Sequence, residues 1–176
     1  MAGLTRIYTR SGDGGRTGLA DGRRVAKSGR RVAALGELDE LNAHLGLARA
    51  WVEEESANAL LLELQRRLFE LGAELAGSGR TRIDDSMVEA VERAIDHRQA
   101  ALEPLRHFLL PGGGVPAAQL HLARAVCRRA ERALWRLAEK EAVNPSALKY
   151  LNRLSDLLFV LARSAAAEET PWRPAT

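Results

Sequence analysis

Apolar side chains recur every three or four residues through most of the chain after residue 31, which is the spacing of amphipathic helices. Breaks rich in glycine or proline divide this pattern into five stretches. The expected inward positions are Leu35, Leu38, Leu41, Leu45 and Ala48; Leu60, Leu64, Leu68, Leu71 and Leu75; Val88, Val91 and Ile95; Leu120, Ala123, Cys127, Ala130, Leu134 and Leu137; and Leu148, Leu151, Leu154, Leu158 and Leu161. The pattern therefore predicts five helices around one core of mainly leucine and alanine.

Capping residues and breaks predict where these helices begin and end. The expected spans are Val32 to about Glu54, Ser56 to Gly77, Asp84 or Asp85 to Glu103–Pro104, a fourth helix after the break at 109–116, and Asn144–Pro145 to about Glu168. Ser56 and Asn144 suit the N-cap position, because their side-chain oxygens can accept from free amides of the first turn. Pro145 suits the first helical position, where no amide donor is needed.

Five helices without a convincing set of strands indicate an all-α fold, an up-and-down five-helix bundle with a ferritin-like, four-helix-bundle core. A chain of 176 residues is long enough for one domain with a substantial core. We expect a glycine-rich N-terminal segment at 1–31, formed by an ordered loop or a short strand and a loop. The helical bundle follows at 32–169, with a short tail at 170–176.

Composition and charge narrow the class of protein. The chain is 46% hydrophobic and 28% charged, no apolar run approaches the about 20 residues of a membrane helix, and the start lacks the apolar core of a secretory signal. The single cysteine, Cys127, excludes an internal disulfide and favours the cytoplasm. Residues 1–31 carry eight Lys or Arg and two Asp, whereas the remainder carries 18 basic and 21 acidic residues. This local excess favours a compact anionic ligand over a long nucleic acid.

The segment Tyr8–Gly18 concentrates the groups that bind phosphates. Its candidate ligand-binding residues are Thr9, Arg10, Ser11, Gly12, Asp13, Gly14, Gly15, Arg16 and Thr17, with Lys27 a short way downstream. Glycines allow backbone amides to converge on one point, and hydroxyl and guanidinium groups add donors. The segment lacks the Gly-Lys-Ser/Thr ending of a P-loop, and no βαβ unit surrounds it. A polyphosphate cradle and a flexible arm both remain open from composition.

The predicted fourth helix carries Arg124, Arg128 and Arg132 at four-residue steps, each about 6 Å above the last on one side. Like charges at this spacing repel, so the row costs stability unless anions meet it. The alternative is a solvated face on which Glu131 and Glu139 balance the arginines. Beside a proposed phosphate loop, we favour a ligand site.

Other polar positions allow two interpretations each. Asp39 on the first helix could pair with an arginine of the fourth helix or be a surface carboxylate. Asn152 on the fifth helix, with Ser155 and Asp156 on the same side, needs an interhelical network or a ligand. Phe108, at a helix exit, is in most proteins a core plug. The four histidines lack the spacing of metal ligands, and there is no Ser/His/Asp arrangement.

Five motifs in order make the chain similar to the PduO-type ATP:cob(I)alamin adenosyltransferases, also called corrinoid adenosyltransferases. They are Ile7-Tyr8-Thr9-Arg10-Ser11-Gly12-Asp13-Gly14-Gly15-Arg16-Thr17; Gly36-Glu37-Leu38-Asp39-Glu40-Leu41-Asn42; Phe108-Leu109-Leu110-Pro111-Gly112-Gly113; Arg128-Arg129-Ala130-Glu131-Arg132; and Tyr150-Leu151-Asn152-Arg153-Leu154-Ser155-Asp156. The departures are small: Gly14 stands where family members often have lysine, and the connection from Gly77 to Asp84 is short.

The resemblance implies transfer of the 5′-deoxyadenosyl group of ATP to the cobalt of cob(I)alamin, with triphosphate as the other product. It implies a homotrimer that binds ATP with Mg²⁺ between adjacent subunits. The nucleotide would be bound by Thr9 to Thr17, Lys27, Arg128, Arg129, Ala130, Glu131, Arg132 and Asn152. Asp39 and Arg128 would form a salt bridge that helps to seat the corrinoid, and Phe108 would pack under the corrin ring in place of the lower axial base.

Two other classes of function remain as alternatives. A chaperone or sensor bundle would bind ATP and corrinoid without turnover, but it would not need Asp39 and Phe108. A basic nucleic-acid-binding bundle would carry its charge on an exposed helix face with aromatic residues interleaved. We therefore expect an enzyme that acts on ATP and cob(I)alamin, with a reductase and an adenosylcobalamin-dependent client enzyme as possible partners, and neither nucleic acid nor membrane.

Overall fold

Five helices make up most of residues 7–174, the part of the chain that the computed structural model describes. The helices are α1 (Arg30–Arg49), α2 (Glu55–Leu75), α3 (Asp85–Gln99), α4 (Val115–Ala138) and α5 (Pro145–Ser164). Four short strands form two antiparallel pairs, β1 (Arg16–Gly18) with β2 (Arg24–Ala26) and β3 (Leu109–Leu110) with β4 (Thr170–Pro171). The predicted all-α fold with five helices is confirmed.

The helices pack around one core. α1 lies against α2 and α4, and α5 lies against α4 and α3. The start of α1 meets the end of α4, where the Arg30 guanidinium donates to Arg136 O (2.8 Å), so these two helices run in opposite directions. Most of the predicted inward positions lie in the core, which is mainly leucine and alanine, whereas Leu35, Leu60 and Ile95 are only partly buried. The core also contains residues that were not predicted, among them Leu61, Ile83 and Tyr150. None of the helices in residues 7–174 is both long and apolar enough to span a membrane.

Two of the predicted helix caps are confirmed and one is wrong. Asp84 caps α3 by accepting from Met87 N (3.1 Å), and Asn144 caps α5 by accepting from Ser146 N (3.0 Å). Ser56 is not the N-cap of α2, because that helix begins at Glu55. The Ser56 hydroxyl instead donates to the carboxylate of Glu54, the residue before the helix.

Three helices end earlier than the apolar pattern predicts. α1 ends at Arg49, because the Asn58 side chain donates to Arg49 O (2.8 Å) and Val52 O (3.3 Å) and so satisfies carbonyls near the helix end. α5 ends at Ser164, and beyond it Ala167 N donates to Gly113 O (3.0 Å) instead of to its own helix. α3 ends at Gln99.

Candidate functional site

The glycine-rich segment is a folded hairpin. Its loop precedes β1 and contains two tight turns, in which Asp13 N donates to Arg10 O (3.3 Å) and Gly15 N donates to Gly12 O (3.2 Å). Gly15 has φ 76°, which glycine adopts without steric cost, and Arg10 has φ 59°. The backbone is therefore turned sharply twice within six residues.

Side chains of the hairpin bind its own backbone. The Arg24 guanidinium donates to Ser11 O (2.6 Å), and the Arg16 guanidinium donates to Arg24 O (2.5 Å). The hydroxyls of Thr9 and Ser11 are hydrogen-bonded at 2.7 Å. These contacts hold the loop against the β1–β2 pair within one chain.

Lys27 adds an ammonium group to the loop, where the sequence suggested it. Its amide donates to Gly15 O (2.8 Å), and its Nζ lies where a Cβ on Gly12 would be only 3.0 Å away. The loop residues are mostly exposed: Thr9, Arg10, Ser11, Asp13, Gly14, Gly15 and Arg16 are exposed, and Gly12 and Thr17 are half-buried. The loop thus presents hydroxyl, guanidinium, ammonium and amide donors to solvent, as an anion site requires.

The hairpin is attached to the end of α2. Ala20 N donates to Ala76 O (2.8 Å), and the Asp21 carboxylate lies against Gly77. Gly77 has φ 88°, and a Cβ there would be 2.5 Å from an Asp21 oxygen, so glycine is needed for both reasons. The amide and guanidinium of Arg23 hold the pKa of Asp21 below its usual value. The attachment is therefore polar and close.

Arg31 binds the same end of α2, and no local sequence pattern predicts this contact. Its guanidinium donates to Leu75 O (2.5 Å) at the end of α2 and to the Glu141 carboxylate (2.7 Å) between α4 and α5. The side chain is 14% exposed. One residue at the start of α1 therefore joins three elements next to the hairpin, a role that depends on tertiary contacts alone.

The arginines of α4 divide by their partners. Arg129 donates to the carboxylates of Glu37 (2.5 Å) and Glu40 on α1, which raises the pKa of Arg129 and lowers that of Glu40. Arg128 and Arg132 are exposed and form no salt bridge within residues 7–174; the Arg132 guanidinium donates only to Arg128 O (3.0 Å). These two cations remain available for an anion.

Arg124, the third arginine of the predicted row, has a different environment. Its guanidinium lies 5.8 Å from the centre of the Phe159 ring, and its Nε is buried with no hydrogen-bond partner in the described part of the chain. Neighbouring His121 is buried, and burial followed by the charge of Arg124 lowers its pKa, partly opposed by Glu169. The three arginines of the predicted row are therefore not equivalent. Arg128 and Arg132 are exposed, whereas Arg124 lies half-buried beside Phe159.

Asn152 connects α5 with α4. Its side-chain amide donates to the Glu131 carboxylate (3.3 Å), and its carbonyl oxygen accepts from the Arg153 guanidinium (2.6 Å). The Ser155 hydroxyl donates to the backbone carbonyl of Asn152 within α5 (2.9 Å). Of the two alternatives for these polar side chains, an interhelical network or a ligand, the contact of Asn152 with Glu131 gives the first. The side chain of Ala130 is buried in the core, so it presents no group to a ligand.

Asp39 and Arg128 do not pair within one chain. The α1 carboxylates that meet α4 are those of Glu37 and Glu40, and Asp39 is exposed without a salt bridge in the described residues. Asp39 instead lines a groove of about 360 Å³ between α1 and α2, beside the exposed ring of Phe69. The groove is mainly apolar and carries the Asp39 carboxylate on its wall.

Phe108 is not a core plug, because 79% of its surface is exposed. It comes directly before β3, and its carbonyl accepts from Trp172 N (2.7 Å) next to β4. Trp172 is also exposed. The sequence predicted neither this strand pair nor the contact of the tail with Phe108, because two-residue strands leave no periodic pattern.

The buried titratable groups of the core suit packing rather than chemistry. Burial raises the pKa of the Cys127 thiol, which donates to Leu151 O (3.3 Å), and burial also raises the pKa of Tyr150. Within residues 7–174, no group of three or more His, Cys, Asp or Glu side chains could hold a metal ion. The donors for an anion therefore lie on the hairpin and on the exposed face of α4.

Three comparisons with known proteins match nearly the whole chain to the same family. A family model described as cobalamin adenosyltransferase matches residues 7–165. A cobalamin adenosyltransferase from Cupriavidus metallidurans is 51% identical, over 91% of this chain and 88% of its own length, and a corrinoid adenosyltransferase from Mycobacterium tuberculosis is 43% identical, over 97% and 94%. The solved structure of a variant PduO-type ATP:corrinoid adenosyltransferase from Lactobacillus reuteri, complexed with cobalamin and ATP, matches with a TM-score of 0.89 and 32% identity, covering 96% of this chain and 100% of that one.

Proposed function

The chain belongs to the cobalamin adenosyltransferase family, and from that premise we propose that it transfers the 5′-deoxyadenosyl group of ATP to the cobalt of cob(I)alamin. The family membership confirms the resemblance expected from the five motifs. The observation that supports the proposal best is the donor-rich hairpin combined with Arg128 and Arg132, which form no salt bridge within residues 7–174. Together they offer positive charge and amides to a triphosphate.

The proposed reaction requires no proton transfer by the protein. Cob(I)alamin is a strong nucleophile, so its attack on C5′ of ATP needs no general base. The protein must align cobalt, C5′ and the leaving oxygen, and it must neutralise the charge that develops on triphosphate. We assign the second task to residues Thr9 to Thr17, Lys27, Arg128 and Arg132, and we assign Asn152 with Glu131 to the nucleotide site.

Mg²⁺ fits this site as an ion that arrives with the nucleotide. The ion prefers oxygen ligands and keeps several waters. Phosphate oxygens of ATP and water molecules would therefore provide most of its ligands. The oxygen groups that the loop itself offers are the hydroxyls of Thr9 and Ser11 and the carboxylate of Asp13, all exposed. When bound, the ion would neutralise part of the triphosphate charge.

We propose that the active site is shared between chains of a homotrimer. The hairpin is attached where α1 begins and α2 ends, whereas Phe108 lies at the opposite end, where α4 begins. α4 has 24 residues, which corresponds to about 36 Å. ATP and the corrin ring must touch during transfer, so one chain cannot supply both ends to one site. Between chains, Asp39 and Arg128 can also form the salt bridge that they do not form within one.

Phe108 and Asp39 are assigned to the corrinoid. An exposed aromatic ring can occupy the place of the lower axial ligand and exclude both that base and water from cobalt. Removal of the lower ligand stabilises the reduced metal, which assists formation of cob(I)alamin. A reductase must supply the electron, and an adenosylcobalamin-dependent enzyme would consume the product. The free, buried Cys127 fits a reducing cytoplasm.

The direct test mixes the protein with ATP, Mg²⁺ and chemically reduced cobalamin and follows the visible spectrum for adenosylcobalamin. Formation of adenosylcobalamin and triphosphate is expected. Binding of both ligands without product would contradict the proposal and favour a chaperone or sensor.

Two further experiments test the site assignments. Phe108→Ala should slow adenosyl transfer while ATP still binds. Sedimentation should show a trimer, and a fully active monomer would exclude the shared site.

A further inference from the structure

The backbone around Phe108 is held by the C-terminal segment and by little else. β3 pairs with β4, and Phe108 O accepts from Trp172 N (2.7 Å) directly beyond that pair. No side chain between residues 99 and 116 is fully buried, and Leu102 and Leu109 are only half-buried, so apolar packing anchors this loop weakly. A two-residue strand pair is marginal by itself. The position of Phe108 therefore depends on whatever holds the C-terminal segment.

A single buried guanidinium, that of Arg163, holds both segments. It donates to both oxygens of the Glu169 carboxylate, from Nε to Oε1 (2.6 Å) and from Nη2 to Oε2 (3.3 Å). Its Nη2 also donates to Glu103 O (2.9 Å). The Arg163 side chain is only 7% exposed. Glu103 precedes Phe108 and β3, and Glu169 directly precedes β4. One guanidinium therefore binds the chain just before each of the two strands.

We propose that Arg163 and Glu169 are positioning residues for Phe108 in the adenosyl transfer, an inference that rests on the proposed function. The bidentate ion pair fixes where the C-terminal segment leaves α5. That segment pairs with β3 and fixes the backbone at Phe108, which then presents its ring to the corrinoid. Neither residue of the pair touches the reacting atoms.

The physical reason is the cost of leaving a buried charge without a partner. A guanidinium that loses its carboxylate in the protein interior must find water or move. Here the simplest movement carries Arg163 out of its site and releases both segments at once. A second contact, Ala167 N to Gly113 O (3.0 Å), limits the movement to the segments beyond it, so the helices remain packed.

Hydrogen–deuterium exchange tests the attachment without any use of activity. In Glu169→Gln, the Trp172 amide is expected to exchange about ten- to hundredfold faster, because a charge-assisted attachment is lost. Glu168→Gln is the matched control, since it removes the same charge from an exposed neighbour that forms no salt bridge in residues 7–174. Unchanged exchange in Glu169→Gln, or equal acceleration in both variants, would overturn the proposal.

Electron paramagnetic resonance of cob(II)alamin with ATP separates positioning from general stability. In Glu169→Gln, the four-coordinate fraction is expected to fall about tenfold while the Kd for ATP is unchanged. Glu169→Asp keeps the charge and should recover most of the signal. Loss of ATP binding together with that signal would overturn the positioning role. If the unaltered protein forms no adenosylcobalamin, the proposed function fails, and the exchange result alone decides whether the pair holds Phe108.

Discussion

The helical core and the non-helical segments at its two ends are held by different forces. In α4 and α5 the inward positions are almost all apolar and fully buried. In contrast, residues 7–29, 99–116 and 164–174 include no buried side chain. These segments are held by a few polar contacts, among them that of Ala20 with Ala76 and those of Arg163. The proposed functional groups lie mostly on the segments, so the bundle acts as a rigid support for weakly packed binding elements.

The largest effect on stability should come from the core. Leu68→Ala on α2 removes a side chain that is 2% exposed and should lower the free energy of unfolding by about 2–5 kcal/mol, because it leaves a cavity. Adjacent Phe69, which is 71% exposed, provides the matched control. Phe69→Ala should change the value by less than about 0.5 kcal/mol in urea unfolding. Equal losses in the two variants would contradict the comparison of core and surface.

Arg132→Ala should weaken ATP binding without a large loss of stability. Removal of a charged contact to phosphate costs about 1.5–3 kcal/mol, or roughly ten- to hundredfold in Kd. Titration calorimetry measures the affinity, and Arg136→Ala, one helical turn further along the same exposed face, is the control. An unchanged Kd in Arg132→Ala would remove this arginine from the nucleotide site.

Arg31→Ala tests the polar contacts that join the start of α1 to the end of α2, next to the hairpin. The variant should lose about 1–2 kcal/mol of unfolding free energy, since the guanidinium binds a helix-end carbonyl and a carboxylate. Arg30 is the neighbouring control, 46% exposed and paired with Glu139. Arg30→Ala should lower the free energy of unfolding by less than about 1 kcal/mol. If Arg30→Ala costs as much as Arg31→Ala in urea unfolding, burial does not distinguish the two attachments.

The smallest effect concerns His121 near the C-terminal segment. Its pKa is lowered in the folded protein, so the unfolded chain binds more protons, and stability falls as pH falls through the ordinary histidine value of 6.5. Denaturant unfolding at about pH 7.5 and about pH 5.5 should therefore show less pH dependence in His121→Gln than in the unaltered protein. His97→Gln, at an exposed position, is the control. A pH dependence that is the same in all three proteins would contradict this account.

Much of the bundle could be predicted from the sequence because it depends on local patterns. The 3–4 spacing of apolar residues located all five helices, and two caps, Asp84 or Asp85 for α3 and Asn144 for α5, were expected from side chains that can bind their own first turns. The helix ends were predicted less well. Asn58 satisfies carbonyls at the end of α1 from another helix, a contact that no local pattern shows.

The candidate site divides in the same way. The loop from Thr9 to Thr17 could be found from its density of glycines and donors, and Lys27 does lie against it. The partner of each α4 arginine could not be found. Adjacent helix positions differ by about 100° in direction, so the orientation of α4 about its axis decides whether Arg128 or Arg129 meets the carboxylates of α1.

Spacing and residue type were enough to predict which stretches are helical, where the phosphate-binding groups are concentrated and to which family the motifs are similar. Three features depend instead on how the chain packs: Phe108 is exposed, Arg128 and Arg132 have no carboxylate partners within residues 7–174, and Arg163 binds the two segments beside Phe108. The physical reason is that ion pairs and two-residue strands join positions far apart in sequence, and their formation depends on how the helices pack.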